Sequence, residues 1–394
     1  MQLRFSAEDE AFRAEVRRWL DERLHGDYRH LRGRGGPGRE HEMVEERRAW
    51  ERVLGEAGWI GLGWPAAAGG KGAPLLRQVI FHEEYARARA PGRLGHIGEY
   101  LLAPTIAALG TRAQQEKFLP PIARGEQLWC QGYSEPGAGS DLAGVTTRAE
   151  LVGHTWRVTG QKIWTSHAHL ADWCFVLCRT SASPAAKRHE GLSYLLVPMR
   201  QDGITVRPIR QLTGTAEFCE VFFDGARTPE DHVIGAVGQG WKVAMATLSF
   251  ERGASTLGQQ IGFAAELDAI IHAARHNGAD RDPQLRQRIA DAWIGLRVMR
   301  WNALRVLGHG EGGELPREAL GSKLSWSTWH RRLGELAMDV LGAEAEIIAA
   351  APYALTPLQE TFLFSRADTI YAGSSEIQKN IIAARALGLP RGPT

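Results

Sequence analysis

Six short runs rich in Val, Phe, Trp, Tyr and Thr fill the middle of the chain, and they constrain the fold more strongly than any other feature. They cover residues 128–133, 156–159, 173–179, 192–197, 204–208 and 218–223, and turn residues separate them. Short β-rich runs bounded by turns are typical of strands. Because the spacers are too short for helical crossovers, we expect the strands to pair antiparallel, in a small barrel or sandwich rather than a Rossmann sheet.

Helical periodicity takes over on both sides of this β-rich region. On the amino-terminal side it begins at Ser6, which forms a loose capping box with Asp9, and it recurs over residues 42–57, 75–89 and 114–123. On the carboxyl-terminal side it covers 241–276, 282–307, 316–341 and 374–387, which is enough for a four-helix bundle. A chain of 394 residues exceeds the size of one core, so we expect an N-terminal helical domain at 1–125, a β-domain at 126–235 and a four-helix domain at 236–394.

The charge balance and the cysteines exclude several classes of protein. Lys and Arg total 47 against 45 Asp and Glu, so the chain offers no basic field for nucleic acid. The four cysteines lack the C-x-x-C spacing of a zinc or redox site, so we expect small buried hydrophobes in a reducing compartment and no metal site. Residues 1–10 are charged and lack an apolar signal core, and no run of about 18 apolar residues occurs. These features predict a cytoplasmic protein without membrane insertion.

Two motifs near the start of the β-rich region indicate a ligand site. The first, Q-G-Y-S-E-P-G-A-G-S-D, covers residues 131–141, and the second, G-Q-K-I-W-T-S, covers 160–166. Gly137 and Gly139 leave the backbone bare, which suits close approach by a flat, anionic, hydrogen-bonding ligand. Trp164 offers an aromatic face beside the hydroxyl groups of Thr165 and Ser166. Alone, the first motif also fits an ordinary turn and the tryptophan also fits a core position, but the pair together favours a ligand.

The two motifs, with further segments in the same order, resemble the acyl-CoA dehydrogenase family over almost the whole chain. These segments are L-P-P at 119–121, G-L-S-Y-L-L-V at 191–197, E-V-F-F at 220–223, G-Q-G-W at 238–241 and Y-A-G-S-S-E-I-Q at 371–378. The resemblance implies an α+β multidomain fold, with an N-terminal helical domain, a central antiparallel β-domain that contacts flavin, and a C-terminal four-helix bundle. It also implies the cofactor FAD and the dehydrogenation of an acyl thioester to the trans-2-enoyl product, with hydride transfer to flavin N5.

By the same resemblance, particular residues receive particular roles. Ser134 would lie near the pyrimidine edge of the flavin, Trp164 would flank the ring, and Ser166 would bond near N5. Ser374 and Glu376 would face the ADP end of FAD. Ser140 and Ser249 would contact the pantetheine arm of the substrate. The full set of predicted cofactor contacts is Gln131, Gly132, Tyr133, Ser134, Gly139, Ser140, Trp164, Thr165, Ser166, Ser374 and Glu376.

The catalytic carboxylate is displaced relative to most of the family. Most members carry the base directly after the tyrosine of the segment at 371–378, where this chain has Ala372, which cannot take a proton. A minority branch, similar to the isovaleryl- and long-chain-type enzymes, carries it before a CoA-contacting arginine, as Glu251 and Arg252 stand here. We therefore predict Glu251 as the base and Arg252 as a substrate anchor; the alternative is a helical glutamate that pairs with a neighbouring arginine. Glu376 aligns with a flavin-contacting position and is not predicted to be the base.

Motifs that reach the neighbouring subunit's FAD in family tetramers are eroded. The chain has R-H-N-G at 275–278, Pro283 near an expected glutamine, and D-V-L-G-A at 339–343. Asp339 near a pyrophosphate would be repelled unless it points elsewhere. Similar erosion occurs in actinobacterial relatives of the steroid side-chain type, which assemble from two different subunits. The hypotheses are a heterotetramer with a related partner that completes the site, or a homotetramer with other contacts to the ADP end.

Three functions remain open at this point. The first is an acyl-CoA dehydrogenase of fatty acid or steroid side-chain β-oxidation, which acts on an acyl-CoA or acyl-carrier-protein thioester and passes electrons to an external acceptor such as electron-transfer flavoprotein. The second is a flavin oxidase or monooxygenase of the same superfamily, which lets oxygen reach the flavin. The third is a structural subunit of a heteromer.

Overall fold

Seven strands form one sheet among the residues described by the computed structural model, which are 5–181, 187–250, 260–307, 316–348 and 354–390. The strands are β1 Trp129–Gly132, β2 Arg148–Val152, β3 Thr155–Ser166, β4 Trp173–Arg179, β5 Leu192–Pro198, β6 Ile204–Ile209 and β7 Phe218–Pro229. Their order in the sheet is β1-β4-β2-β3-β7-β6, and β5 pairs with β4. All six predicted strands are present, and β2 is an addition.

The predicted antiparallel pairing is confirmed for most of the sheet. β2–β3, β3–β7, β4–β5 and β6–β7 are antiparallel, whereas β1 and β2 each pair parallel with β4. The strand β2 escaped prediction because Leu151 and Val152 are exposed, so the run lacks the alternation of a half-buried strand. β3 and β7 are each 12 residues long, longer than predicted, because they pair with each other along most of their length.

Helices make up most of the remaining described residues. They are α1 Ala7–His25, α2 Val44–Glu56, α3 Leu75–Arg87, α4 Ala103–Leu109, α5 Arg112–Ala123, α6 Gly240–Phe250, α7 Gln260–Asn277, α8 Pro283–Leu307, α9 Arg317–Leu320, α10 Ser322–Leu341, α11 Pro357–Ser365 and α12 Ser375–Ile381. A π-helix, Gly98–Leu102, leads directly into α4, and a second, Ile382–Ala386, follows α12. The predicted cap at Ser6 is present, since Ser6 Oγ accepts from Asp9 N, and Asp282 Oδ1 likewise accepts from Gln284 N at the start of α8.

The chain divides into two compact units. The sheet belongs to the unit formed by residues 23–74 and 90–253, and the other unit comprises 1–22, 75–89 and 254–394. Of the helix predicted over 241–276, the described parts are α6, which belongs to the first unit, and α7, which belongs to the second. Residues 251–259 between them lie outside the described part of the chain.

Four helices, α7, α8, α10 and α11, enclose the core of the second unit. This core includes Phe263, Leu267, Leu336 and Leu358. The helix α11 was missed by the periodicity because it is only nine residues long. Its start signal was nevertheless in the sequence, since Thr356 and Gln359 form a capping box around a proline at the first turn.

The four cysteines are buried and unpaired in the hydrophobic core of the sheet, as the sequence predicts. Among the described residues, none of the helices has the length and apolar character that crossing a membrane requires.

Candidate functional site

A bulge in strand β3 turns Trp164 out of the sheet. Lys162 pairs with Val221 and Thr165 pairs with Cys219, so two residues of β3 oppose one of β7. Trp164 has φ +59°, a left-handed conformation that is unfavourable for a bulky side chain, and its indole is 57% exposed. Bulges commonly re-aim a side chain beside a functional site, and strain of this kind persists only where flanking structure imposes it. The indole therefore offers an aromatic face outside the core, which excludes the core interpretation of this residue.

A buried ion pair fixes the loop that carries the first motif. Lys162 is completely buried, and its Nζ donates to Tyr133 O and to Glu135 Oε1, each at 2.9 Å. The Glu135 carboxylate also accepts from Thr146 N at 2.7 Å and from Thr147 N at 2.8 Å. Burial raises the pKa of Glu135, but the Lys162 charge and these hydrogen bonds outweigh burial and lower the pKa to about 2. The pair ties the turn after β1 to β3 and to the chain entering β2.

The sequence motifs contained both members of this pair without revealing their role. Glu135 stands inside the first motif and Lys162 inside the second. The available signal was a lysine in a strand whose neighbours are buried. An unpaired charge is rarely tolerated in such a strand, so the lysine indicated a partner of opposite charge.

The two motifs lie side by side in the structure. The amide of Ile163 donates to Ser134 O at 2.9 Å, so the residue before Trp164 is bonded directly to the first motif. The side chains of Ser134 and Ser166 are half-buried, and neither hydroxyl is hydrogen-bonded to another described residue. Added Cβ atoms at Gly137 and Gly139 would meet nothing within 4 Å, so the turn there is open to solvent.

The other predicted contacts of this region differ in accessibility. Ser140 is exposed and Gln131 is half-buried, whereas Gly132, Tyr133 and Thr165 are buried. An added Cβ at Gly132 would lie 2.9 Å from Cys174 Sγ, so this glycine is required by sheet packing. The Thr165 hydroxyl is buried without a hydrogen-bond partner in the described structure. An exposed indole beside two available hydroxyls, on a backbone fixed by a buried ion pair, fits a planar hydrogen-bonding ring such as flavin.

In the second unit, Ser374 and Glu376 line one cavity of about 790 Å³. Arg331, Arg332 and Lys379 line the same cavity, so its charged groups are mostly positive. Ser374 also caps α12, since its hydroxyl accepts from the backbone amide three residues later at 3.4 Å. This structural role explains the serine without a ligand, although the basic cavity suits an anion.

A buried histidine fixes the segment that leads to Ala372. His330 Nδ1 lies 2.5 Å from Asp368 Oδ2, and its Nε2 lies 2.7 Å from Glu266 Oε2. The Tyr371 hydroxyl donates to Asp368 Oδ1 at 2.7 Å. Burial lowers the pKa of His330, but the hydrogen bonds and charges of the two carboxylates outweigh burial and raise the pKa to about 9. Ala372 follows in a left-handed conformation with φ +52°.

The raised pKa predicts how stability depends on pH. The contribution of protonated His330 is complete below its unfolded pKa of about 6.5 and is lost as the pH rises through about 9. Relative to His330→Gln, the wild type should therefore lose about 3 kcal/mol of unfolding free energy between pH 6 and pH 10. Urea unfolding at both pH values measures this difference, and His272→Gln, an exposed histidine on α7, is the control. An equal gap between wild type and His330→Gln at both pH values would contradict the assignment.

The remaining predicted residues are placed only in part. Glu251 and Arg252 lie outside the described residues. Ser249 is exposed in the last turn of α6, and its hydroxyl donates to Ala246 O at 2.7 Å. Asp339 forms an ion pair with Arg288 at 2.6 Å within the second unit, so the charge of Asp339 is already compensated.

Three domain models of one protein family match most of the chain. The matches are acyl-CoA dehydrogenase, N-terminal domain, over residues 6–126; middle domain, over 130–226; and C-terminal domain, over 238–387. Both motifs of the site lie within the middle-domain match. Ser249, Ser374 and Glu376 lie within the C-terminal match.

Individual relatives match at full length. The chain is 57% identical over 382 residues to acyl-CoA dehydrogenase IpdE1 of Mycobacterium tuberculosis, which covers 97% of this chain and 98% of that protein. The solved structure of the Tcur3481-Tcur3483 steroid ACAD superposes with a TM-score of 0.85 at 30% identity, covering 100% of both chains. The ChsE4-ChsE5 complex from Mycobacterium tuberculosis superposes with a TM-score of 0.83 at 28% identity, again covering 100% of both chains.

Proposed function

Because the chain belongs to the acyl-CoA dehydrogenase family, we propose that it catalyses the FAD-dependent α,β-dehydrogenation of an acyl-CoA thioester to the trans-2-enoyl-CoA. The predicted family fold is confirmed by matches to all three domains. The observation that carries the proposal is the strained bulge at Trp164, which presents an exposed indole beside Ser134 and Ser166. A backbone this unfavourable is retained where it serves a site.

Two sets of residues are proposed to contact the cofactor. Trp164 would flank the flavin ring, and the hydroxyls of Ser134 and Ser166, which have no partner in the described structure, would bond its edge. Ser374 and Glu376 would contact the ADP end, where the cations of their cavity offset the phosphate charge. When bound, FAD supplies the electron acceptor for the hydride that leaves the β-carbon.

Side chains of the protein are proposed to remove the α-proton and to anchor the substrate. We assign Glu251 as the base, because Ala372 leaves the usual position of the family without a carboxylate. An α-proton of a thioester is far less acidic than a carboxylic acid, so the site must desolvate the base and stabilise the developing enolate. Arg252 would anchor the CoA part of the substrate, and Ser140 and Ser249 would contact its pantetheine arm.

Fatty-acyl and steroid-derived acyl-CoA thioesters are the substrate classes that the relatives favour. One structural neighbour is a steroid ACAD, at 30% identity over the whole chain. We propose an external electron acceptor such as electron-transfer flavoprotein. Anaerobic titration of the purified protein with fatty-acyl and steroid-derived acyl-CoA thioesters tests the proposal, with flavin bleaching and the 2-enoyl product as readouts. Rapid peroxide formation by the reduced protein in air would instead favour an oxidase, and absence of bleaching with every thioester would contradict a dehydrogenase.

A second, related chain is proposed to complete the cofactor site. Asp339 stands where family tetramers present an ADP-contacting motif, and its pairing with Arg288 gives it a role within its own unit. We therefore favour a heterotetramer over a homotetramer. Co-expression with a related subunit should raise FAD content and activity. One FAD per subunit with full turnover in the chain alone would exclude a required partner.

Trp164 is expected to matter for the cofactor and not for folding. Trp164→Ala removes an aromatic face, and we expect FAD affinity to fall roughly tenfold to a hundredfold, whereas Trp164→Phe should retain most of it. Fluorescence titration of the apoprotein with FAD measures the affinity. The matched control is Trp301→Ala on α8, which is 55% exposed and should leave FAD affinity unchanged. Equal loss in both tryptophan variants would remove Trp164 from the site.

A further inference from the structure

Three hydroxyl groups form a buried network between the sheet and two helices. Thr247 Oγ1 lies 2.9 Å from Thr105 Oγ1 and 3.3 Å from the Tyr194 hydroxyl. All three residues have no exposed surface. Burial raises the pKa of Tyr194 well above its ordinary value, so its hydroxyl stays protonated. The network is therefore neutral at any pH the enzyme meets.

The network joins the first sequence motif to the helix that leads to the proposed base. Tyr194 lies on β5, where its ring stacks on Phe175 with centroids 5.5 Å apart and meets Tyr133 edge-on at 6.1 Å. Thr247 lies on α6, and Thr105 lies on α4, directly after the π-helix Gly98–Leu102. Phe250, the last residue of α6, immediately precedes Glu251 in the sequence.

The hydroxyl groups of the two threonines could form their hydrogen bonds without any contact between helices. The Thr105 hydroxyl donates to Leu101 O at 2.7 Å, and the Thr247 hydroxyl is 3.1 Å from Val243 O. Each threonine could thus be satisfied within its own helix, and valine would fill the same volume. What the threonines add is directional contact, because hydrogen bonds tolerate far less sliding and rotation than apolar packing does. A hydroxyl carries one proton and two lone pairs, so the Thr247 hydroxyl can donate a hydrogen bond to one neighbour and accept one from the other.

A second contact fixes the other end of α6. Gly238 N donates to Ser193 Oγ at 2.9 Å, just before the helix begins. A Cβ added at Gly240 would lie 2.5 Å from the Ser193 backbone, so the first turn of α6 packs directly on β5. With Ser193 at its start and Thr247 in its later part, α6 is held against β5 at two levels.

We propose that Thr247, together with Thr105 and Tyr194, is a positioning residue that sets the place of α6 and hence of the chain that enters Glu251. The proposal rests on the proposed function, because a misplaced base matters only if Glu251 abstracts the α-proton. Misplacement of a reacting group by about 1 Å can cost a hundredfold in rate. We therefore expect Thr247→Val to lower the rate constant for anaerobic flavin reduction by about tenfold to a hundredfold.

The test uses holoenzyme and an acyl-CoA that the wild type oxidises. Thr247→Val should lower kcat while KM, FAD content and thermal midpoint stay close to wild type, and the isotope effect with α-deuterated substrate should increase because proton removal becomes more limiting. Thr247→Ser keeps the hydroxyl and should restore the rate. Thr105→Val should act in the same direction, and the double variant should cost no more than the worse single one, since both break one contact.

Several results would overturn the proposal. They are an unchanged rate in Thr247→Val, a loss that Thr247→Ser fails to restore, or a loss that only follows FAD content. If Thr247→Val does not fold, Thr105→Val decides the question by the same readouts. Failure of the wild type to reduce its flavin with any acyl-CoA would overturn the proposed function itself, and is seen before any variant is compared.

Discussion

A Glu251→Gln variant should bleach its flavin with acyl-CoA about a thousandfold more slowly than the wild type. The substitution keeps the shape of the side chain, but an amide cannot take the α-proton, and a positioned general base contributes roughly a hundredfold to ten-thousandfold. Stopped-flow reduction under anaerobic conditions measures the rate constant directly. FAD content should not change, because Glu251 is assigned to the substrate and not to the cofactor.

Two further variants make this result specific. Glu150→Gln, on the exposed surface of β2, removes a carboxylate that has no assigned role and should bleach at the wild-type rate. Adding Ala372→Glu to Glu251→Gln returns a carboxylate to the position most of the family uses and should recover part of the lost rate. Ala372 already carries a Cβ in its left-handed conformation, so glutamate there adds little backbone strain. An undiminished rate in Glu251→Gln would remove the base assignment.

Lys162→Met is expected to have the largest effect on stability, a loss of about 3–5 kcal/mol of unfolding free energy. It leaves the Glu135 carboxylate buried without its compensating charge, and removing one partner of a buried pair costs far more than removing both. Urea unfolding at neutral pH measures the loss. FAD retention should fall as well, because the pair fixes the loop that carries the first motif.

The double variant Lys162→Met with Glu135→Gln serves as the control, and it should recover most of the lost stability because no buried charge remains. Arg124→Met, which breaks an exposed pair with Glu126, should cost less than about 1 kcal/mol. The pKa of Glu135 is depressed, so its contribution is present above about pH 4.5 and lost as the pH falls through about 2. The deficit of Lys162→Met should therefore shrink in acid, and a deficit that stays constant down to pH 2 would contradict the pairing.

The sequence predicted which strands occur better than it predicted which residues of paired strands lie opposite each other. All six predicted strands exist, because alternation and β-rich composition are local properties. The bulge at Trp164 could not be predicted, since it is defined by which residues of β7 oppose β3, and those lie more than 50 residues away in the chain. The ion pair of Lys162 and Glu135 was missed for the same reason, although each residue stood inside a motif already identified.

For the predicted site residues, too, the sequence indicated some local properties and missed others. Exposure of Trp164 agrees with the ligand interpretation, whereas Thr165 beside it is buried, because successive side chains of a strand point to opposite faces. Ser374 proved to be a helix cap as well as a cavity residue, a role that its position before a helical segment could have indicated. The geometry around Glu251 remains a prediction of the resemblance and of the vacancy at Ala372.

The most direct test is a structure of the holoenzyme, with its partner subunit if one is required, bound to an unreactive acyl-CoA analogue. We expect the flavin ring against Trp164 and a Glu251 carboxylate oxygen within about 3.5 Å of the carbon next to the thioester, on the side opposite the flavin. A Glu251 side chain directed into solvent, or a flavin bound away from Trp164, would contradict the proposed mechanism.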